Sequence, residues 1–257
     1  MNSIAEVGKF DWRLKPFLYC YPLATLLFLT FFLSPADSIW KPVDDAFFHL
    51  LNNTLASDGP WATLVAWANT KIFDTLWAGV MGLLCLWVFL SPRYGVFKDR
   101  FARISAVAIG VVASIAITKL VFKQYDRLSP GRYFDDFVNL NDLLPEIAAK
   151  VGSSSSFPGD HGVASVLLVV CFIVFFRPWP HLAVVALPIA VINTLPRLIA
   201  GGHWFSDVIV GAGSVGLIVY PLLVGTPYLR LVRQATEILA DRMLLPLSEK
   251  LGMSSKT

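Results

Sequence analysis

Six runs of apolar residues, at 17–34, 75–90, 104–122, 162–176, 181–198 and 207–224, decide what this chain can fold into. Each is long enough to cross, or nearly cross, the ~30 Å hydrocarbon core of a bilayer as a helix. The fourth is the shortest. Only 15% of residues are charged, against roughly 25% in a soluble domain. Mean hydropathy is +0.63. A water-soluble protein with a large core is excluded. The expected fold is all-α: a polytopic, six-transmembrane helix bundle making one membrane-embedded domain over residues 1–257. No small-x-small cleavage pattern follows the first run, and further spans do, so it reads as a membrane helix rather than a signal peptide.

The charges between the runs set the orientation. Residues 1–16, 92–103, 177–181 and 226–257 hold 13 Lys+Arg and 6 Asp+Glu, leaving 8 and 12 for the rest of the chain. The basic side is cytoplasmic. Both termini are then inside, and segment 35–74 lies outside with the loops at 123–161 and 199–206. Segment 35–74 is not a span: it carries charges, three prolines and an amphipathic stretch at 45–55. Its Trp40, Trp61 and Trp67 suit a membrane interface, so a surface-lying helical insert is expected, with a simple ordered loop as the alternative. The tail 226–257 reads as an amphipathic cytoplasmic helix with Leu231, Ile238, Leu239, Leu244 and Leu245 apolar. Cys20, Cys85 and Cys171 sit inside apolar runs and read as buried packing residues.

Three stretches on the outer side carry the chemistry. The first is Pro196-Arg-Leu-Ile-Ala-Gly-Gly-His-Trp-Phe-Ser-Asp207. On a helix, positions i and i+4 share a face, so Asp207 can hold one ring nitrogen of His203 and leave the other free as a nucleophile. Arg197 adds the planar fork that suits phosphate oxygens. The second is Ser153-Ser-Ser-Ser-Phe-Pro-Gly-Asp-His161-Gly, a polar loop running into an apolar helix. A helix N-terminus offers unpaired N–H groups and a positive dipole end, a ready phosphate site. Gly159 lets backbone approach a ligand, Asp160 suits a helix cap, and His161 is placed to act as general acid. The third runs from Lys119 through Lys123 and Arg127 to Arg132, up to four cations for a phosphate or pyrophosphate.

This pattern, Arg197-x5-His203-x3-Asp207 after a Pro-Gly-x-His161 loop and a Lys/Arg motif, resembles the phosphatidic-acid-phosphatase type 2 superfamily. More closely, Ser-Phe-Pro-Gly-Asp-His-Gly, Pro-Arg-x-x-x-Gly-x-His-Trp-Phe-x-Asp and Arg-x-Ser-Pro are similar to the lipid A 1-diphosphate synthase family of Gram-negative bacteria. The likeness covers nearly the whole chain. It implies phosphate transfer from undecaprenyl pyrophosphate to lipid A 1-phosphate at the periplasmic face of the inner membrane. It further implies His203 as a phosphohistidine-forming nucleophile, Asp207 as its orienter and His161 as acid, then base. Arg127 and Arg197 would hold the phosphoryl group, with Lys119 or Lys123 beside them and backbone N–H groups at Gly159 and Asp160 completing the cradle.

The chain departs from the broad superfamily pattern in three places. Lys119 stands one residue too far from Arg127, and Leu128 replaces a proline. Gly159-Asp160 replaces Ser-Gly before His161. Pro196 replaces the serine before Arg197.

Taken singly, a membrane-edge histidine is most often a satisfied interfacial residue. The combination of Arg197, Asp207 and His161 is what marks His203. Asp135, Asp136, Asp142 and Glu146 lack calcium-loop spacing and read as loop solvation. No metal or cofactor is expected, and the partners expected are lipid substrates and membrane lipids, not nucleic acid. Two other functions fit the composition. A lipid phosphatase would use the same site with water as acceptor, on undecaprenyl pyrophosphate or phosphatidylglycerol phosphate. A non-catalytic binding or transport protein would tolerate loss of His203.

Overall fold

The computed structural model describes residues 12–33, 39–56, 59–122, 125–239 and 242. Nine helices longer than two turns are described: α1 (Leu14–Phe32), α2 (Trp40–Asn52), α3 (Pro60–Ala68), α4 (Lys71–Leu90), α5 (Phe97–Val121), α6 (Asp160–Phe175), α7 (Pro180–Ile199), α8 (Gly213–Gly225) and α9 (Tyr228–Leu239). A π-helical turn, Asp207–Ala212, leads directly into α8. The described residues contain no β-strand beyond one isolated bridge, Arg127 to Ser155. The all-α expectation holds.

Five helices are long and apolar enough to cross a membrane: α1, α4, α5, α7 and the continuous Asp207–Gly225. The expected span at 162–176 forms α6, a helix of 16 residues. At about 1.5 Å per residue it reaches roughly 24 Å, short of a full hydrocarbon core. Its composition reflects its place in the bundle. α6 packs against α5, α7 and α8, and Val163, Leu167, Cys171 and Phe172 are each at most 1% exposed. The most hydrophobic window of Asp207–Gly225 is 56% buried, against 11% for those of α1 and α4. α6 and α8 are therefore the interior of the bundle, while α1 and α4 turn most of their apolar surface outward, as lipid-facing helices do.

Lipid tails give helices no hydrophobic reason to associate, so close backbone approach does the work. Gly216 on α8 shows it: a Cβ there would stand 2.7 Å from Val166 Cγ1 of α6.

The insert is two helices with a core of their own, not a loose loop. Leu55, Ala62, Val65 and Ala66 pack with Leu140, Ile147 and Ala149 of the long loop and with Ile199 and Ala200 at the end of α7. Asn52 fixes this contact. Its amide donates to the carbonyls of Val138 and Ile199, each at 3.1 Å, and its oxygen accepts from Val138 N–H at 2.8 Å. α4 starts at Lys71, a turn earlier than expected, with Thr70 as N-cap accepting from Phe73 N–H. Asp74 thereby falls in its first turn.

The expected tail helix is present as α9 (Tyr228–Leu239). Val232 and Thr236 face inward, and α9 lies on α5. Leu231, Ile238 and Leu239 remain exposed. Leu244 and Leu245 lie outside the described residues. The three cysteines are free thiols; Cys171 is buried and Cys20 and Cys85 are half-buried.

Replacing Asn52 by Leu strips hydrogen bonds from buried backbone groups, each worth about 1–3 kcal/mol when left unsatisfied. Thermal unfolding in detergent should show Asn52→Leu destabilised by about 2–4 kcal/mol. An unchanged melting temperature would mean that the insert is not held at this point.

Candidate active site

Five chain ends meet at one end of the bundle: the starts of α4, α6 and the Asp207 helix, and the ends of α5 and α7. The loop between α5 and α6 closes over them. Its two arms run side by side, with Ser129 N–H donating to Ser153 C=O and Ser156 N–H to Arg127 C=O, at 3.0 and 2.9 Å.

His203 sits in the turn after α7, not on a helix as the i, i+4 argument assumed. The turn still brings it to Asp207, because the Asp207 carboxylate folds back to accept Trp204 N–H at 2.8 Å, the reciprocal half of a capping box. His203 Nδ1 lies 2.8 Å from the Ser156 carbonyl and 3.5 Å from Asp207 Oδ2. A carbonyl only accepts, so Nδ1 carries the proton. In the neutral imidazole, Nε2 then carries the lone pair. The backbone of Ser156 thus orients the ring together with Asp207, while the Ser156 hydroxyl is buried without a hydrogen-bond partner. Gly159 is required beside it: φ is +76°, and a Cβ would stand 3.2 Å from the His203 ring.

Asp207 is fully buried, and Arg127 donates to it. Arg127 also reaches Ser206 Oγ at 2.9 Å and Asp44 Oδ2 at 2.8 Å, with its guanidinium over the faces of Phe31 and Trp204. Asp44, from α2, is as buried as Asp207. It accepts Ser206 N–H at 2.8 Å and Ser206 O–H at 2.6 Å. Burial pushes the Asp44 carboxyl above its ordinary value, opposed by the Ser206 hydrogen bonds and by Arg127.

A second cation–carboxylate group lies across the site. Arg197, 3% exposed, donates to Asn69 Oδ1 at 3.0 Å and to Asp74. The same Asp74 oxygen lies 3.1 Å from His161 Nε2. An ionised carboxylate only accepts, so Nε2 is the donor there.

Between the two groups is an open cavity of about 200 Å³. Both imidazoles line it, with Gly159, Asp160, Lys119, Lys150, Ser153 and Ser155. The rings of His161 and His203 are 6.5 Å apart, centre to centre, room for one tetrahedral group touching both. A cavity this size is below the roughly 300–1,000 Å³ that encloses a drug-sized ligand. It suits a compact polar headgroup whose tail stays outside.

The predicted residues therefore converge, in two layers. His161, His203, Gly159, Asp160 and Lys119 form the cavity wall. Arg127 and Arg197 stand behind it, engaged with carboxylates. Lys119 pairs with Asp160 at 2.8 Å. Lys123 lies outside the described residues.

Sequence reasoning missed Asp44, Asn69, Asp74, Ser206 and Lys150. Asp74, an acid within a turn of an apolar run, was a usable signal, since charges at a membrane edge are rarely idle. Asp44 gave none: its partner Ser206 is 162 residues away.

A family model described as PAP2 superfamily matches residues 106–226. All the predicted site residues lie inside that match; Asp44, Asn69, Asp74 and the insert lie before it. Lipid A 1-diphosphate synthase of Escherichia coli (strain K12) is 32% identical over 209 residues, covering 78% of this chain and 83% of that protein. No solved structure matches.

Removing Asp44 leaves one arm of a mostly buried guanidinium and two Ser206 donors unpaired. Breaking such a buried pair costs about 3–5 kcal/mol. Asp44→Ala should lower detergent melting by that amount. A loss below about 1 kcal/mol, the scale of an exposed ion pair, would show that the pairing contributes little.

Proposed function

The chain belongs to the PAP2 superfamily, and on that premise we propose that it is a membrane phosphotransferase carrying phosphate from undecaprenyl pyrophosphate to lipid A 1-phosphate. The observation that carries the chemistry is His203: Nδ1 is committed to the Ser156 carbonyl, so the free Nε2 is the nucleophile. The acceptor follows from similarity to a lipid A 1-diphosphate synthase over most of both chains.

The reaction has two steps. His203 Nε2 attacks the terminal phosphorus of the donor, and the P–O bond to the inner phosphate breaks. His161, held to Asp74 through Nε2–H, gives a second proton, on Nδ1, to the departing oxygen, and undecaprenyl phosphate leaves. A phosphate oxygen of lipid A 1-phosphate then attacks the phosphohistidine, the P–N bond breaks, and His161 takes a proton back. The products are lipid A 1-diphosphate and undecaprenyl phosphate. Asp207 and Ser156 orient His203, and Asp74 orients His161. Arg197, Arg127, Lys119 and the N–H groups at the start of α6 stabilise the charge on the transferring group. A developing oxyanion competes with Asp74 for Arg197.

The same proposal makes α6 a sixth span, with both termini cytoplasmic and the site periplasmic, in the inner membrane. The uneven distribution of Lys and Arg supports this orientation. A short α6 is compatible with it, because irregular backbone at membrane depth is tolerated where protein encloses it or a wet cavity adjoins it.

The test is purified protein in detergent with undecaprenyl pyrophosphate labelled in its terminal phosphate, with and without lipid A. Label should move to lipid A with little free phosphate. Release as inorganic phosphate regardless of lipid A would make the protein a phosphatase. His203→Ala should lose on the order of 10⁴-fold or more in turnover while still folding. Arg197→Lys should lose about 10²-fold, since a point charge cannot replace a planar fork. Near-normal turnover in His203→Ala would sink the mechanism.

A further inference from the structure

Two displacements on one histidine impose a geometry that extends the reaction proposed above and rests on it. Each is in line. The group that leaves His203-bound phosphorus in the first step, and the group that attacks it in the second, both occupy the side opposite Nε2. In a transferase between lipid phosphates both groups are phosphates: the inner phosphate of the donor and the 1-phosphate of the acceptor. One anion subsite next to the histidines therefore serves both half-reactions. It also has to offset the repulsion of one phosphate approaching another, a repulsion that attacking water does not meet.

The cavity contains a cation that the reaction has not used. Lys150 lines the same cavity as His161 and His203, beside Ser153 and Ser155. The other lysine there, Lys119, is neutralised by Asp160 at 2.8 Å. Lys150 has no carboxylate partner among the described residues. Its backbone is nonetheless held firmly. Lys150 N–H donates to Asn69 C=O at 2.9 Å. The preceding residue, Ala149, exchanges two hydrogen bonds with the Asn141 side chain, both at 3.1 Å. Ala149 and Ile147 are buried in the core shared with the insert. Asn69 in turn holds Arg197 through its side chain. An unneutralised ammonium on a fixed backbone, at the edge of the cavity that both histidines line, is what a second phosphate needs. The flanking Ser153 hydroxyl accepts from Ser155 N–H at 3.2 Å and keeps its own proton to donate, whereas the Ser155 hydroxyl donates to the Tyr125 carbonyl at 3.3 Å.

We infer that Lys150, with Ser153, forms a second phosphate subsite, taking the inner phosphate of a lipid diphosphate donor and then the phosphate of a lipid monophosphate acceptor. It makes the site select phosphate over water as the attacker.

The partition of label tests this directly. Transfer and hydrolysis drain the same phosphohistidine, so their ratio reports the second step alone, whatever happens to the first. With labelled undecaprenyl pyrophosphate and lipid A, Lys150→Ala should lower the ratio of labelled lipid A diphosphate to inorganic phosphate by tenfold or more. Lys150→Arg should keep most of it. An unchanged ratio in Lys150→Ala overturns the subsite, even if total turnover falls. Should the unaltered protein release only inorganic phosphate, the transferase reading fails instead. The subsite then stands or falls on KM: Lys150→Ala should raise KM tenfold for undecaprenyl pyrophosphate but leave that for phosphatidic acid, which has one phosphate. Equal KM changes for both lipids overturn it. Melting in detergent confirms that the variants fold.

Discussion

Arg127 is the tie on which the site depends. Two carboxylates, Asp44 and Asp207, are fully buried, and neither could be held ionised there alone, because desolvating an unpaired charge costs several kcal/mol. One guanidinium answers both. It comes from the loop after α5, whereas Asp44 comes from the insert and Asp207 from the start of the last span. Three segments far apart in sequence are thereby fixed against one another. The planar fork matters, since Arg127 meets Asp207 and Ser206 through one nitrogen and Asp44 through the other. An ammonium could not span those directions in a fixed geometry. From Asp207 the order passes to Trp204 N–H, hence to the turn that presents His203.

The second cation–carboxylate group repeats the device with a different outcome. Asp74 is only partly buried, while Arg197 beneath it is nearly inaccessible. Asp74 ties Arg197 to His161, so the proposed acid and the proposed phosphate-binding cation share one carboxylate. An arriving phosphate can compete for Arg197 without first uncovering a fully buried acid. The contrast with Asp44 separates the two roles: a sealed carboxylate maintains geometry, and an accessible one occupies the place of an anion. Both acids precede residues 106–226, the part matched by the family model. The insert and the start of α4 therefore complete a site whose recognisable motifs lie elsewhere.

Much of this was legible in the sequence because it depends on local spacing. Apolar runs located the five long apolar helices and the shorter α6, and Arg197, His203, Asp207 and His161 stood out by their order and intervals. What the sequence concealed depends on contacts between distant segments. Asp44 and Ser206 pair across 162 residues, and no periodicity registers that. The pairing of His203 with Asp207 was anticipated for an incorrect reason: a folded-back side chain at a helix start, not a helical face, brings them together. The Ser156 carbonyl was invisible because every residue has one, and only the fold decides which one meets a ring nitrogen.

α6 shows how the membrane setting and the chemistry constrain each other. α6 begins at Asp160, which sets His161 and the N–H groups of the first turn among the ends of the neighbouring helices. The backbone that makes up the missing length must then be satisfied without lipid contact. The loop achieves this internally, through Ser129 with Ser153, Arg127 with Ser156, and Asn141 with Ala149. The cavity is small, about 200 Å³, and in the proposed reaction a lipid offers it only a headgroup. On the reaction and the subsite proposed above, discrimination among lipids rests on the number and position of phosphates rather than on tail shape, and Lys150 is the group that counts them.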